Sequence, residues 1–287
     1  MSWALVLLAP PERLEILAAE LFELGALGVE LQEPGMPLMP GTPELPPGRG
    51  RAIAHFADAA AAEASARALG SERPVEVPEQ DWSVAWRKHH RTMQVGPRAW
   101  VHPPWEAPPP SAVAVAIDPG MAFGTGSHPT TALCLERCDE LLAELGGADV
   151  LDVGTGSGVI ALLAKKLGAR RVVGTDNDPV ALEAAQKAAE LNGVAGVEWT
   201  LTADPAAVPG EFLIVIANIL LNTLEELAPA IASKVAPGGR LVLCGLLVDQ
   251  ADAAEQSYQA QGLRPVARKA KDGWARVELE LPGPGAR

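Results

Sequence analysis

The feature that most constrains the fold is an apolar segment that runs directly into a glycine-rich turn and then into a helical pattern. Residues 150–153 are apolar apart from Asp152, residues 154–158 read Gly-Thr-Gly-Ser-Gly, and apolar residues recur at helical spacing over residues 159–167. Glycines allow a tight turn and a close approach of a ligand to the backbone, and a helix N-terminus presents unpaired N–H groups. This order of strand, turn and helix predicts an α/β domain with a nucleotide-like ligand at the turn.

A second acidic residue supports the same site. The next strand is predicted over residues 171–175 and is followed by Asp176, 22 positions after Gly154. An acid at this place is well positioned to accept hydrogen bonds from ribose hydroxyls. A nicotinamide-binding domain would carry the same acid, but its glycine spacing is Gly-x-Gly-x-x-Gly and not the Gly-x-Gly-x-Gly found here. The carboxylate of Asp152, just before the turn, can orient the turn or attract a positively charged ligand.

Asp152 with Gly154, Gly156 and Gly158 resembles the first motif of the class I methyltransferases, and Asp176 resembles their ribose-binding acid. The resemblance implies S-adenosylmethionine as the cofactor and a Rossmann-like seven-stranded sheet. Further strands are predicted over residues 197–202, 212–217, 240–244, 263–268 and 274–281, and helices over residues 132–145, 223–235 and 252–261. The last two strands form a hairpin that is characteristic of the methyltransferase sheet and that a plain dinucleotide-binding fold lacks.

The N-terminal part of the chain has a different pattern. In residues 1–78 the predicted order is strand, helix, strand, strand, helix and strand, which indicates a small ferredoxin-like α+β domain. The prolines of residues 34–47 exclude regular structure from one loop. The strands are predicted over residues 3–9, 27–32, 51–57 and 74–77, and the helices over residues 11–25 and 58–69.

Residues 79–110 are predicted to link this domain to a methyltransferase domain over residues 111–287. Four tryptophans with basic residues between them occur in the linker. They could form a nucleic-acid platform, but tryptophans that pack a linker helix between two domains are the favoured interpretation. The net charge of −13 also discourages nonspecific binding to a phosphate backbone, although the excess acid can serve solubility alone.

The cysteines and the apolar runs indicate the cellular compartment in which the protein is expected. Cys134, Cys138 and Cys244 are odd in number and too few for a disulfide framework, which favours a reducing compartment. No apolar run reaches the roughly 20 residues that cross a bilayer, and the N-terminus lacks the basic start of a signal peptide. We therefore expect a cytoplasmic protein without a membrane span. The histidines show no metal-ligand spacing, and we expect no metal site.

Asn218 is the candidate catalytic residue. It follows the predicted fourth strand beside the glycine turn, where open α/β sheets bind ligands. Its amide oxygen can accept a hydrogen bond from an amine and so aim the nitrogen lone pair at a methyl group. Residues 218–221 resemble the Asn/Asp-Pro-Pro-Tyr motif of nitrogen-methylating enzymes but lack the prolines and the tyrosine, which favours an aliphatic amine over a nucleobase. An asparagine that only satisfies a strand-end backbone group is the alternative.

Residues 117–131 are too polar and glycine-rich for a core segment. They are predicted to fold over the cofactor, with Phe123 against an apolar face and Thr131 offering a hydroxyl at a helix start. Together with Asp-Trp-x-x-x-Trp at residues 81–86, the glycine turn and Ala-Asn-Ile at residues 217–219, this loop is similar to the ribosomal protein L11 methyltransferase family.

This second resemblance covers about residues 81–262. It implies an N-terminal domain that binds the ribosomal protein, a linker that lets the catalytic domain reach several amino groups, and methylation of lysine side chains and the N-terminal amine of ribosomal protein L11. We expect a monomer that requires no direct contact with nucleic acid or membrane. The predicted cofactor-binding residues are Phe123, Thr131, Asp152, Gly154, Gly156, Asp176 and Asn218.

Three other functions stay open at this point. A methyltransferase that acts on a nucleobase or on another protein is the nearest, and a nicotinamide oxidoreductase is disfavoured by the glycine spacing. A noncatalytic module that only retains the nucleotide fold is the third. No general base is evident in the sequence, so the proton of the acceptor amine is expected to leave to solvent.

Overall fold

The chain divides into two compact units, residues 1–89 and residues 90–287. The structure is a computed structural model that describes residues 2–32, 45–71, 74–77, 91–118, 128–283 and 285. In these parts of the chain, no helix combines the length and the apolar character that a bilayer crossing requires. The predicted proline-rich loop falls mostly on residues 33–44, and the predicted linker helix falls on residues 81–90, both outside the described residues.

The N-terminal unit is an antiparallel four-stranded sheet with two helices. Its strands lie in the order β2-β3-β1-β4, which confirms the ferredoxin-like prediction. The elements are β1 (Ser2–Ala9), α1 (Leu14–Glu23), β2 (Gly28–Gln32), β3 (Gly50–Phe56), α2 (Ala59–Leu69) and β4 (Val75–Val77).

Local sequence signals set the helix ends in this unit. α2 begins after Asp58, whose carboxylate accepts a hydrogen bond of 2.9 Å from the N–H of Ala61, and it ends at Gly70, which has a φ of 61°. α1 follows a short 3-10 turn, Pro11–Arg13. Both helices contribute to one apolar core with the sheet, which includes Leu5, Leu14, Leu21, Phe56 and Ala62.

A small three-stranded sheet lies where the sequence predicted a linker. β5 (Met93–Gln94) pairs antiparallel with β6 (Ala99–His102), and β6 pairs parallel with β7 (Val113–Ala116). The backbone N–H and the guanidinium Nε of Arg98 each donate to the buried carboxylate of Asp139, at 2.7 Å, in the helix α3 (Pro129–Leu145). This ion pair joins the small sheet to α3 within the second unit. The domain boundaries after residues 78 and 110 stay predictions.

The second unit is dominated by a seven-stranded sheet in the order β10-β9-β8-β11-β12-β14-β13, which confirms the predicted class I methyltransferase sheet. The first five strands of that order are parallel, and β14 runs antiparallel to both of its neighbours. The strands are β8 (Val150–Val153), β9 (Val172–Asp176), β10 (Val197–Leu201), β11 (Phe212–Asn218), β12 (Val235–Leu247), β13 (Arg264–Lys271) and β14 (Trp274–Glu280). The helices after α3 are α4 (Val159–Lys166), α5 (Pro179–Leu191), α6 (Leu221–Glu226), α7 (Ala228–Ala232) and α8 (Ala251–Gln259).

Both faces of this sheet are buried. Successive strand residues point to opposite faces, so that Ile214 and Ile216 join a core with α3 and α4, whereas Val215 and Ala217 join a core with α6 to α8. Burial on both faces explains why the central strands are continuously apolar and show no alternation. It also leaves the carboxyl ends of the strands as the place where polar residues collect.

Two elements differ from their predictions. The single helix predicted over residues 223–235 is two helices, because Pro229 in the first turn of α7 lacks the N–H that would continue α6. β12 begins at Val235, five residues before the strand predicted over residues 240–244. There the N–H of Gly238 donates to the carbonyl of Leu281 at 2.7 Å, which keeps the segment beside the end of β14.

Candidate functional site

The glycine turn follows β8 directly and leads into α4. Gly154, Gly156 and Gly158 have φ values of 70°, 54° and 77°, the left-handed region that glycine adopts without steric cost. A side chain at Gly154 would also overlap Ile219, since a Cβ there would lie 2.5 Å from the Ile219 Cγ2. The absence of a side chain at Gly154 therefore lets the turn pack closely against Ile219, the residue after β11.

Asp152 lies beneath this turn and is fully buried. One carboxylate oxygen accepts a hydrogen bond of 2.6 Å from the Thr155 hydroxyl, and the other, Oδ1, has no hydrogen-bond partner among the described residues. Burial raises the pKa of Asp152 to about 7, against the lowering effect of the Thr155 hydroxyl, and the charge of Asp176 raises it further. The carboxyl group therefore holds the turn and retains an unused acceptor.

Asp176 is the last residue of β9, and its carboxylate binds the backbone of the glycine turn. Its Oδ2 accepts a hydrogen bond of 2.9 Å from the N–H of Gly156, and its Oδ1 accepts one of 3.1 Å from the N–H of Asp178. The carboxylate is thus fixed at the edge of a cavity, with lone pairs left for further donors.

This first cavity, the cofactor cavity, has a volume of about 490 Å³. It lies at the carboxyl ends of β8, β9, β10 and β11, the position at which open α/β sheets bind nucleotides. The volume falls within the roughly 300 to 1,000 Å³ of small-molecule pockets. The cavity is lined by the glycine turn, by Asp176 and Asn218, and by apolar residues that include Val180, Ala181, Pro205, Ile219 and Leu227.

The residues that line the cofactor cavity fit S-adenosylmethionine. The open backbone of Gly154 and Gly156 suits a ligand that approaches closely, and the fixed carboxylate of Asp176 suits ribose hydroxyls. The apolar wall at Val180 and Pro205 suits an adenine ring. The acidic lining suits the positive charge of the sulfonium.

Asn218 and Thr131 meet at one end of the cavity. The amide nitrogen of Asn218 lies 3.4 Å from the hydroxyl oxygen of Thr131, which is buried in the first turn of α3. The amide oxygen of Asn218 is buried and has no hydrogen-bond partner among the described residues. Four sequence-predicted residues, Gly154, Gly156, Asp176 and Asn218, therefore line one cavity. Phe123 lies outside the described residues.

A second cavity, the acceptor cavity, lies beyond Asn218 and has a volume of about 510 Å³. It shares Asn177, Asn218, Ile219 and Thr223 with the cofactor cavity. The remaining lining residues are His128, Thr130, Leu220, Gly245 and Trp274.

Sequence reasoning did not identify the wall of the acceptor cavity. Trp274 opens β14 and His128 precedes α3, and the two rings make an edge contact with centroids 4.9 Å apart and planes at 68°. Nothing in the spacing of these residues along the chain indicates their contact. Gly245 was likewise missed; it has a φ of 82°, and a side chain there would overlap the backbone of Ile219.

Comparison with known proteins gives a consistent result. Residues 47–281 match the family described as ribosomal protein L11 methyltransferase. The ribosomal protein L11 methyltransferase of Myxococcus xanthus (strain DK1622) is 43% identical over 279 residues, which cover 94% of this chain and 96% of that protein. The protein of the same name from Azotobacter vinelandii (strain DJ) is 42% identical over 296 residues, covering 97% of this chain and 99% of the relative.

A solved structure agrees with these relatives. The crystal structure of ribosomal protein L11 methylase from Lactobacillus delbrueckii subsp. bulgaricus superposes with a TM-score of 0.62 at 30% sequence identity. It covers 67% of this chain and 100% of that one. The chain belongs to the ribosomal protein L11 methyltransferase family and is an S-adenosylmethionine-dependent methyltransferase.

Proposed function

We propose that this protein transfers methyl groups from S-adenosylmethionine to amino groups of ribosomal protein L11, namely lysine side chains and the N-terminal amine. The observation that carries the proposal is the junction of the two cavities at Asn218. One cavity has the lining that suits the cofactor, and the other is also lined by Asn218.

S-adenosylmethionine supplies, when bound, a methyl carbon that the adjoining sulfonium makes electrophilic. Gly154 and Gly156 leave the backbone open for it, and Asp176 accepts the ribose hydroxyls. Because transfer is a direct displacement, the protein chiefly has to align the amine with the carbon–sulfur bond and exclude water.

Asn218 performs that alignment. Its buried amide oxygen needs a donor, and an unsatisfied buried acceptor costs free energy. The N–H of a neutral amine in the acceptor cavity meets this need and leaves the nitrogen lone pair free for the methyl carbon. The amide nitrogen of Asn218 lies 3.4 Å from the Thr131 hydroxyl oxygen, a contact that orients the side-chain amide.

The acceptor cavity also favours a neutral amine. A lysine amine has a reference pKa of about 10.4 and an N-terminal amine about 7.7 to 8.0, so both arrive largely protonated. Apolar surface from Ile219, Leu220 and Trp274 lines the cavity, and desolvation there disfavours the ammonium form. A nearby sulfonium adds charge repulsion in the same direction.

We further infer that the N-terminal ferredoxin-like unit binds the ribosomal protein and that a linker lets the second unit reach several amines. Residues 1–78 carry 11 acidic and 5 basic residues, a balance that suits a basic protein partner. We infer a cytoplasmic monomer that requires no direct contact with nucleic acid.

The test is incubation of the purified protein with radiolabelled S-adenosylmethionine and either free L11 or intact ribosomes. We expect label in protein, and mass spectrometry of L11 peptides should place it on lysine side chains and the N-terminal amine. Label in ribosomal RNA would instead identify a nucleobase methyltransferase. Cofactor binding without any label transfer would identify a noncatalytic module.

A further inference from the structure

His128 and Thr130 form a hydrogen-bonded pair on the wall of the acceptor cavity. The Nδ1 of His128 lies 2.8 Å from the Thr130 hydroxyl oxygen. We propose that this pair is a proton relay, in which Thr130 takes a proton from the acceptor amine and His128 takes the hydroxyl proton of Thr130. The inference rests on the proposed amine substrate, and it adds a general base to the proposed methyl transfer.

The hydrogen bonds around His128 fix the direction of the relay. The backbone N–H of Thr130 also lies against Nδ1, at 3.4 Å, and an N–H group can only donate. Nδ1 therefore carries a lone pair, and the neutral ring holds its proton on Nε2. The Thr130 hydroxyl, at the shorter of the two distances, donates to Nδ1 and leaves its own oxygen lone pairs for another donor.

The position of the pair matches this role. Both residues line the acceptor cavity, and among the described residues that line it, His128 is the one imidazole side chain. The Thr130 side chain is nearly fully buried, and the edge contact with Trp274 of β14 holds the imidazole ring. Neither Thr130 nor Trp274 ionises in the range in which a histidine does.

The proton balance of the step is simple. The N–H bond of the substrate ammonium breaks, and its proton passes to the Thr130 oxygen as the hydroxyl proton passes to Nδ1 of His128. The electron pair left on nitrogen becomes the lone pair that attacks the methyl carbon, and the imidazolium later releases its proton to solvent. Desolvation of the amine in the apolar cavity offsets its greater basicity in water.

The competing interpretation is that His128 only caps α3, because it is the N-cap residue of that helix. His128→Asn separates the two roles, since asparagine is a strong N-cap residue but cannot take a proton. Thr130→Ser keeps the hydroxyl, and Thr130→Val removes it at similar volume. His102→Asn, which changes a half-buried histidine of β6 outside both cavities, is the matched control.

The experiment measures initial rates of L11 methylation by each full-length variant from about pH 5 to about pH 9, the range in which histidine titrates. We expect His128→Asn and Thr130→Val to lower kcat at neutral pH by about 100-fold, the scale of a lost acid–base group. Their kcat should also fall less toward acid pH than we expect for the wild type, because the proposed base is missing. His102→Asn should stay within about threefold of wild type, and Thr130→Ser should retain more activity than Thr130→Val because it keeps the hydroxyl.

Two controls keep the result interpretable. Calorimetric affinity for S-adenosylmethionine and the thermal midpoint of His128→Asn should equal those of the wild type. A His128→Asn variant with wild-type kcat and wild-type pH profile would overturn the relay and leave His128 as a cap. Failure of the proposed function is recognised separately, because mass spectrometry of the wild-type product would then place the methyl group on something other than an amine.

Discussion

The cofactor cavity and the acceptor cavity share Asn218 but are built in different ways. The cofactor side consists of the segments that end β8, β9, β10 and β11, and its key features are a backbone turn and one carboxylate. The acceptor side brings together side chains as distant as His128 and Trp274, 146 positions apart. Local segments thus suffice to form the cofactor site, whereas substrate selection depends on how helices and a hairpin pack around it.

The comparison predicts that substitutions separate into two kinds of kinetic effect. Changes on the cofactor side should alter the affinity for S-adenosylmethionine, and changes on the acceptor side should alter turnover or the KM for L11. Asn218 touches both cavities and is the most informative residue.

The largest effect is expected for Asn218→Ala. Loss of the amide oxygen leaves the amine unaligned, and we expect kcat to fall by about 100-fold, the usual cost of a misplaced reacting group. The Kd for S-adenosylmethionine should change by less than about threefold, because Asn218 carries none of the charge that attracts the cofactor. Asn222→Ala, on an exposed position of α6, is the control. Equal losses in turnover and affinity would place Asn218 on the cofactor side alone.

Asp176→Ala is expected to have the next largest effect. If Asp176 accepts two ribose hydroxyls as we propose, removal of its carboxylate should raise the Kd for S-adenosylmethionine by about 30-fold, measured by calorimetry. At saturating cofactor, kcat should stay within about threefold of wild type. Asp249→Ala changes an exposed carboxylate away from both cavities and should have no effect. An unchanged affinity in Asp176→Ala would contradict the ribose role.

Asp152 should make cofactor binding pH-dependent. Because burial raises its pKa to about 7, the carboxyl group is mostly protonated at about pH 6 and mostly ionised at about pH 8. A cationic ligand favours the ionised form, so affinity for S-adenosylmethionine should rise about tenfold across this window. The same raised pKa makes the free protein less stable as pH rises from about 4 to about 7, because the native state retains a proton that the unfolded chain releases.

Asp152→Asn is the variant that tests this dependence. It keeps an oxygen for the Thr155 hydroxyl and removes the titration, so the affinity should become nearly equal at the two pH values. A variant that retained the wild-type ratio of affinities would assign the pH dependence to another group.

The smallest effect is expected on the acceptor side for Trp274→Leu. Leucine removes part of the apolar surface that the indole presents to the acceptor cavity, and a loss of about 0.7 kcal/mol of burial would raise the KM for L11 about threefold. The affinity for S-adenosylmethionine should not change. Trp100→Leu, in the small three-stranded sheet, is the control. A larger change in cofactor affinity than in KM would show that Trp274 belongs to the cofactor side.

The predicted elements of the second unit agree well with the structure where sequence signals are local. The strand before Gly154, the acid at Asp176 and the closing hairpin lie where periodicity and turn residues indicated. The strands of residues 93–116 were missed because two to four residues are too few for a periodic pattern. The break at Pro229 was missed because the apolar spacing on either side of it continues a helical pattern.

The prediction of the site was limited in the same way. Asn218 was identified because its position at the end of a strand next to the glycine turn follows from strand order. The sequence could not show that one side-chain oxygen each of Asn218 and Asp152 is buried without a hydrogen-bond partner among the described residues. Burial and hydrogen-bond partners depend on atoms from several elements. His128 and Thr130 are close in sequence, but the proposed relay follows only from their position on the wall of the acceptor cavity.

The sequence by itself determined the fold class and the cofactor. A strand, a glycine turn and a helix interact over a few residues, so their spacing is sufficient to specify a nucleotide site. Only the tertiary structure decided which side chains face the acceptor, because β14 returns antiparallel beside β12 and carries Trp274 toward the start of α3. That contact depends on the order of strands in the sheet, and strand order is set by packing across the whole unit.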